Sequence, residues 1–242
     1  MYGGCIARSR KEPDMHHGPE RIVLITGASG GIGAEVARHL AGPDTHVVVH
    51  YREHSGAADA VAGAIRDAGG RASTLGADIS DEAEAATLMD SVAASFGRLD
   101  ALVLNTASRA ELGADPRYAM RLNRDAQRRL AQLAVPLMPA GARIVFVTSH
   151  QAHFFPNKAV PKGYVAVAAS KRAGETALYG MRSVLAHAGI HLTVVSGDRI
   201  DGPTLRPLPT ADEFAEAIVG ATRTPFPPSI VYVGKTDYLM TA

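Results

Sequence analysis

Cysteine is almost missing from this chain: Cys5 is the only one among 242 residues, so no intrachain disulfide can form. A reducing compartment, the cytoplasm, is the expected setting. Charge of one sign is not in excess either. With 25 lysines and arginines against 24 aspartates and glutamates, no global field recruits nucleic acid or an acidic membrane surface, and any anion site has to be local. No apolar run approaches the roughly 18 residues of a membrane span. Residues 1–19 carry basic groups but lack the apolar stretch of a secretory signal. They are expected to form a disordered extension, or to precede a start at Met15. Internal repeats, low-complexity tracts and interdomain linkers are absent, and no His, Cys, Asp or Glu grouping has metal-ligand spacing, so no metal is expected.

What is present is an apolar content of 46%, enough to fill the core of one α/β domain over residues 20–242. From Arg21 onward, short β-branched runs alternate with longer alanine-rich stretches of helical period. That alternation predicts parallel strands over residues 22–25, 46–50, 72–75, 101–104, 143–148, 191–195 and 230–233, with helices between them. Asp81 with Glu84, and Thr210 with Glu213, have the three-residue offset of reciprocal helix caps. Pro136 is expected to close a helix that begins near Pro116. Right-handed crossovers then lead to a doubly wound seven-stranded parallel sheet with helices on both faces.

After the first strand comes Thr26-Gly27-Ala28-Ser29-Gly30-Gly31-Ile32-Gly33, followed by a helical pattern. Glycines here remove the Cβ atoms that would keep a pyrophosphate from backbone amides and from the helix N-terminus. Thr26, Gly27, Gly31 and Gly33 match the TGxxxGxG pattern, and on this motif the sequence resembles the short-chain dehydrogenase/reductase family, along nearly the whole chain. The resemblance implies a single-domain Rossmann fold and a nicotinamide cofactor held by Gly27, Ser29, Gly30, Gly31, Ile32 and Gly33. It also implies adenine contact at Asp78 and Ile79, and Asn105 beside the cofactor. Asn123 matches a helical asparagine that holds a relay water in many members; a local helix bond is the alternative reading.

The second strand ends with Arg52, where an acidic residue would bond a ribose 2′-hydroxyl and a basic one would accommodate a 2′-phosphate. Arg52, helped by His50 or Ser55, points to NADP(H), against the plain reading of a solvated surface arginine. Gly30 stands where many NADP-preferring members carry a second basic residue.

By the same resemblance, Ser149 is the carbonyl-orienting serine and Lys171 the ribose-binding lysine. The family's tyrosine stands four residues before that lysine, on one helical face and about 6 Å along the axis. Here that position is Val167, which cannot exchange a proton. Tyr164 is the nearest tyrosine, 15 residues after Ser149 and seven before Lys171. Three roles are open for it: proton donor in the tyrosine's place, bystander to a proton from water or substrate, or packing ring. His150 and His153 supply titratable groups in the same loop, though a histidine there also fits a packing or surface role.

Between Gly197 and Thr210 the chain has a short, proline-containing connection where relatives carry a longer lid. An open cleft for a bulky ketone of polyketide or other natural-product type is the implication. The reading is an NADPH-dependent carbonyl reductase; an NADP(H)-binding sensor or scaffold that has lost catalysis is the alternative, motivated by Val167. Related proteins pair through two helices, here residues 116–133 and 168–188, so a homo-oligomer, dimer or tetramer, is expected.

Overall fold

In the computed structural model residues 21–106, 116–198 and 209–235 are described. The expectations for residues 1–19 and for most of the connection after Gly197 lie outside them. Seven strands alternate with helices: β1 (Arg21–Ile25), α1 (Gly31–Leu40), β2 (Thr45–Tyr51), α2 (Ser55–Asp67), β3 (Arg71–Gly76), α3 (Glu82–Phe96) and β4 (Ala101–Leu104) form the first half. The second half has α4 (Pro116–Met120), a π-helical segment (Arg121–Ala126), α5 (Gln127–Ala134), β5 (Arg143–Ser149), α6 (His150–His153), α7 (Val165–Tyr179), α8 (Arg182–His187), β6 (His191–Gly197), α9 (Ala211–Arg223) and β7 (Ile230–Val233).

The strands are parallel throughout and lie in the order β3-β2-β1-β4-β5-β6-β7. Their near-continuous apolar sequence follows from burial on both faces. In β1, Ile22 and Leu24 face one core with α3, α5 and α7, whereas Val23 and Ile25 face a second core with α1, α2 and α9. Each such buried side chain contributes about 1.5–3 kcal/mol from transfer out of water. The order reverses between β1 and β4, and the crevice at their carboxyl ends is where open α/β sheets bind ligands.

Local signals hold in part. Asp81 caps α3 by accepting from the Ala83 and Glu84 amides at 2.9 and 3.0 Å. Its expected reciprocal partner does something else: Glu84 Oε2 accepts from the amide of Asp78, at 2.6 Å, and so ties down the β3–α3 turn instead of the cap. Thr210 and Glu213 do form the reciprocal cap. The helix expected to run unbroken to Pro136 contains the π segment. Gln127, fully buried, donates from Nε2 to the Leu122 carbonyl at 2.9 Å, and a side chain inserted into the ladder is a recognised cause of such a bulge. The helix expected over residues 168–188 is two, α7 and α8, broken at Gly180 and Met181, where Met181 N–H bonds back only three residues to Leu178.

Candidate active site

The glycine turn sits at the switch point. Gly27 and Gly31 have φ of +64° and +55°, the left-handed region that side chains disfavour. A Cβ at Gly33 would lie 2.6 Å from the Gly27 carbonyl and 2.7 Å from Asn105 Nδ2, so only glycine lets α1 pack this closely on the turn. Around Gly30 and Gly31 nothing lies within 4 Å of a Cβ position, and the N-terminus of α1 has neither a side-chain cap nor an acidic residue in its first turn. An uncapped helix start beside a turn open at two glycines is the arrangement that binds phosphate. Ser29 is half-buried beside them, and Ile32 packs its side chain on the second core.

Two side chains hold this turn in shape. Asn105 Nδ2 donates to the carbonyls of Thr26 and Gly27 at 3.1 and 3.2 Å, stapling the end of β4 to that of β1. His50 accepts from the Gly27 amide through Nδ1 at 3.1 Å, which places its proton on Nε2, 3.0 Å from the Ala77 carbonyl. Burial pushes the His50 pKa down to about 4, so the imidazole is neutral at ordinary pH. The sequence reading offered His50 as a helper to Arg52; at 1% exposure with both nitrogens committed, it cannot meet a phosphate. Ile79 is likewise buried in the core, and only its backbone can face a ligand. Asp78 Oδ1 accepts from the amide and hydroxyl of Ser80 at 2.9 and 2.7 Å, an Asx turn after β3.

Arg52 is exposed at the end of β2, paired with Glu53 at 2.6 Å and hydrogen-bonded to the Tyr118 hydroxyl. The Tyr118 ring also lies 5.7 Å from the Arg121 guanidinium, so two cations gather on this side of the crevice.

Ser149 ends β5, and its Oγ lies 3.0 Å from the Tyr164 hydroxyl. Tyr164 closes a 3-10 turn (Lys162–Tyr164) and caps α7, so the helix begins one residue after it. Val167, at 4% exposure, points into the interior. Lys171 follows two turns after Tyr164 on α7, and burial lowers its pKa to about 8. Asn123, in the π segment and 2% exposed, donates from Nδ2 to Ser170 Oγ at 2.9 Å, which in turn donates to the Val167 carbonyl at 2.9 Å.

Sequence reasoning missed the positioning roles of His50 and Gln127, and a buried ion cluster beside the site. Glu175, with no exposed surface, is paired with His153 and Arg172, each at 2.9 Å, and His153 Nε2 meets Tyr232 at 3.2 Å. His150 is buried against Ser196 at 2.9 Å, and burial lowers its pKa. Arg172 and Glu175 are three apart on α7, but no sequence spacing signals the contacts of Glu175 with His153, of His153 with Tyr232 or of His150 with Ser196, because each joins separate elements. No possible metal-binding cluster occurs among the described residues, and no helix there is long and apolar enough to cross a membrane.

A doubly wound sheet with a glycine turn at its switch point places the chain in the Rossmann class of α/β proteins. It belongs to the short chain dehydrogenase family, which is matched over residues 21–211. A 1-cyclohexenylcarbonyl-CoA reductase of Streptomyces collinus is 35% identical over 193 residues, 76% of this chain and 66% of that protein. The chain spans between about a third and two thirds of the length of the first curated relatives it matches. Among solved structures it is similar to LugOII, described as a promiscuous reductase catalysing keto-reduction at C1 during lugdunomycin biosynthesis, at 26% identity and TM-score 0.77, covering 91% of this chain and 97% of that one. It is also similar to the landomycin C-6 ketoreductase LanV with bound NADP and rabelomycin, at 25% identity and TM-score 0.76, covering 88% and 94%.

Proposed function

We propose that the protein is an NADPH-dependent ketoreductase acting on a bulky ketone of polyketide or other natural-product type. The observation that carries this reading is the 3.0 Å contact of Ser149 Oγ with the Tyr164 hydroxyl, which supplies two donors for one carbonyl oxygen despite valine at position 167. NADPH, when bound, supplies hydride from its nicotinamide to the carbonyl carbon. The open turn at Gly30 and Gly31 and the uncapped start of α1 fit its pyrophosphate, Arg52 its 2′-phosphate and Asp78 its adenine. Lys171 would hold the nicotinamide ribose, and as a cation near the site it favours the ionised form of the Tyr164 phenol. Tyr164 then gives its proton to the carbonyl oxygen while Ser149 orients that oxygen. Asn123 anchors the π segment to α7 through Ser170 and positions the lysine-bearing helix.

The ketoreductase descriptions of two structural relatives, one with rabelomycin bound, favour a large substrate, as does the short connection after Gly197. Val167 favours a second reading, an NADP(H)-binding sensor or scaffold without turnover. NADPH oxidation measured against ketones from small keto esters to fused aromatic compounds separates the two. Turnover of fused-ring ketones is expected; absence of turnover across the panel with intact NADPH binding would leave the sensor reading. A homo-oligomer built through α4–α5 and α7 belongs to the same proposal, and a monomer by sedimentation at micromolar concentration would remove it.

A further inference from the structure

At the end of the sheet opposite the glycine turn, the starts of β1, β4 and β5 and the last turn of α9 line an open pocket of about 310 Å³, at the lower limit of small-molecule sites. Arg21, Arg98, Arg143 and Arg223 line it, with Asp100 as the one acidic lining residue. Asp100 is already engaged. It receives Arg98 through two contacts, 3.1 and 2.5 Å, and the Ile22 amide at 2.8 Å.

Among the described residues the other three guanidinium groups, of Arg21, Arg143 and Arg223, have no carboxylate in contact. Their hydrogen bonds go to neutral carbonyls: Arg21 to Thr222, Arg143 to Gly141, to Ala142 at 3.2 Å and to Thr224 and Pro225 at 3.0 Å each, and Arg223 to His39 and Leu40 at 3.4 Å. The carboxyl end of α9 offsets only about half a charge. The cations therefore repel. Burial lowers the Arg21 pKa, Asp100 opposes that, and Arg223 and Arg143 add to it. Arg21 donates one hydrogen bond of the five a guanidinium can offer. Arg143, only 7% exposed, keeps its buried Nε–H without an acceptor among the described residues.

We propose that this pocket is a second ligand site, for a small polyanion of phosphate chemistry, with pyrophosphate its simplest form. Guanidinium donors arriving from β1 and α9, with the charge of Arg143 from β5 behind them, match a tetrahedral oxyanion, which accepts hydrogen bonds from several directions. An excess of more than two positive charges selects a ligand with two or more negative ones. Binding would join these three elements at the end of the sheet remote from the glycine turn, so it would raise thermal stability without entering the cofactor crevice.

Calorimetric titration of the full chain with inorganic pyrophosphate tests this, in the presence of saturating NADPH and again in Arg52→Ala, so that the cofactor crevice is discounted whether or not the reductase reading holds. Saturable binding of one pyrophosphate per chain is expected in both, and loss of that heat in both would overturn the site. The double variant Arg21→Gln/Arg223→Gln should weaken binding about tenfold or more while leaving NADPH affinity intact. Unchanged pyrophosphate affinity in the variant would assign the arginines a purely structural role. If the double variant fails to fold, Arg223→Gln alone, at an exposed residue, gives the same comparison. An ADP arm distinguishes a nucleoside-borne diphosphate from the free anion: binding of ADP with NADPH present identifies the former, its exclusion the latter.

Discussion

Ser149 Oγ and the Tyr164 hydroxyl lie 3.0 Å apart although fifteen residues separate them in the chain. The contact exists because Ser149 ends a central strand and Tyr164 closes a 3-10 turn at the start of α7. Tyr164→Phe keeps the ring and its packing, and is expected to preserve NADPH affinity while reducing turnover about 10²- to 10⁴-fold. Steady-state kinetics with a reducible ketone measure this. Unchanged turnover would pass the proton to water or substrate.

Val167→Tyr would restore the family spacing at a position with 4% exposure. Overpacking there should cost about 1–3 kcal/mol, read as a lower denaturation midpoint. Turnover of a bulky ketone should fall more than that of a small one, and equal effects on both would contradict a pocket adapted to valine.

Among the described residues Arg52 is bonded to Glu53 and Tyr118, both of which a phosphate can displace. Arg52→Ala should weaken NADPH binding about tenfold or more, since one charge-assisted contact is lost, and leave NADH binding nearly unchanged. Fluorescence titration with both cofactors decides; equal losses would remove the 2′-phosphate assignment.

His50 gives the fold a pH dependence of known sign. Its pKa is about 4 in the folded chain and near 6.5 when unfolded, so below pH 6.5 the unfolded chain binds the extra proton. Stability is full above that value and declines as pH falls toward 4, by up to about 3 kcal/mol. Protonation also removes the acceptor for the Gly27 amide. Urea unfolding from pH 7 to 4 should show a shallower decline in His50→Ala than in the parent; identical slopes would contradict the burial argument.

Gly174 packs so closely on the π segment that a Cβ there would lie 2.0 Å from the Asn123 carbonyl. Gly174→Ala must therefore push α7 away from Asn123, with a loss of about 1–3 kcal/mol. Gly63, in α2 with nothing within 4 Å of its Cβ position, is the control. Gly63→Ala should stabilise by about 0.5–1 kcal/mol, because helix propensity alone is at stake. Chemical denaturation of the two variants should move in opposite directions.

The seven strands, the glycine turn and the Thr210 cap were legible from the chain because each rests on short-range pattern: apolar runs buried on both sheet faces, glycine where φ is positive, a three-residue cap offset. Ser149 and Lys171 were singled out by the resemblance of their segments to those of the family. The sequence by itself also determined that position 167 carries no exchangeable proton and that Tyr164 is the nearest tyrosine to Lys171, leaving open whether it, water or the substrate supplies the proton. It did not determine where that tyrosine's hydroxyl lies, since the answer depends on a 3-10 turn docking beside a strand end. Nor could it show that His50 shapes the phosphate turn instead of meeting the phosphate, that Gln127 opens a π bulge beside Asn123, or that Glu175 is buried with His153 and Arg172. Apart from the Arg172–Glu175 pair, which is three apart on α7, each of those contacts spans elements or opposes local helical periodicity. Tertiary packing decided them, because a buried polar group must find its partner wherever the fold brings one within reach.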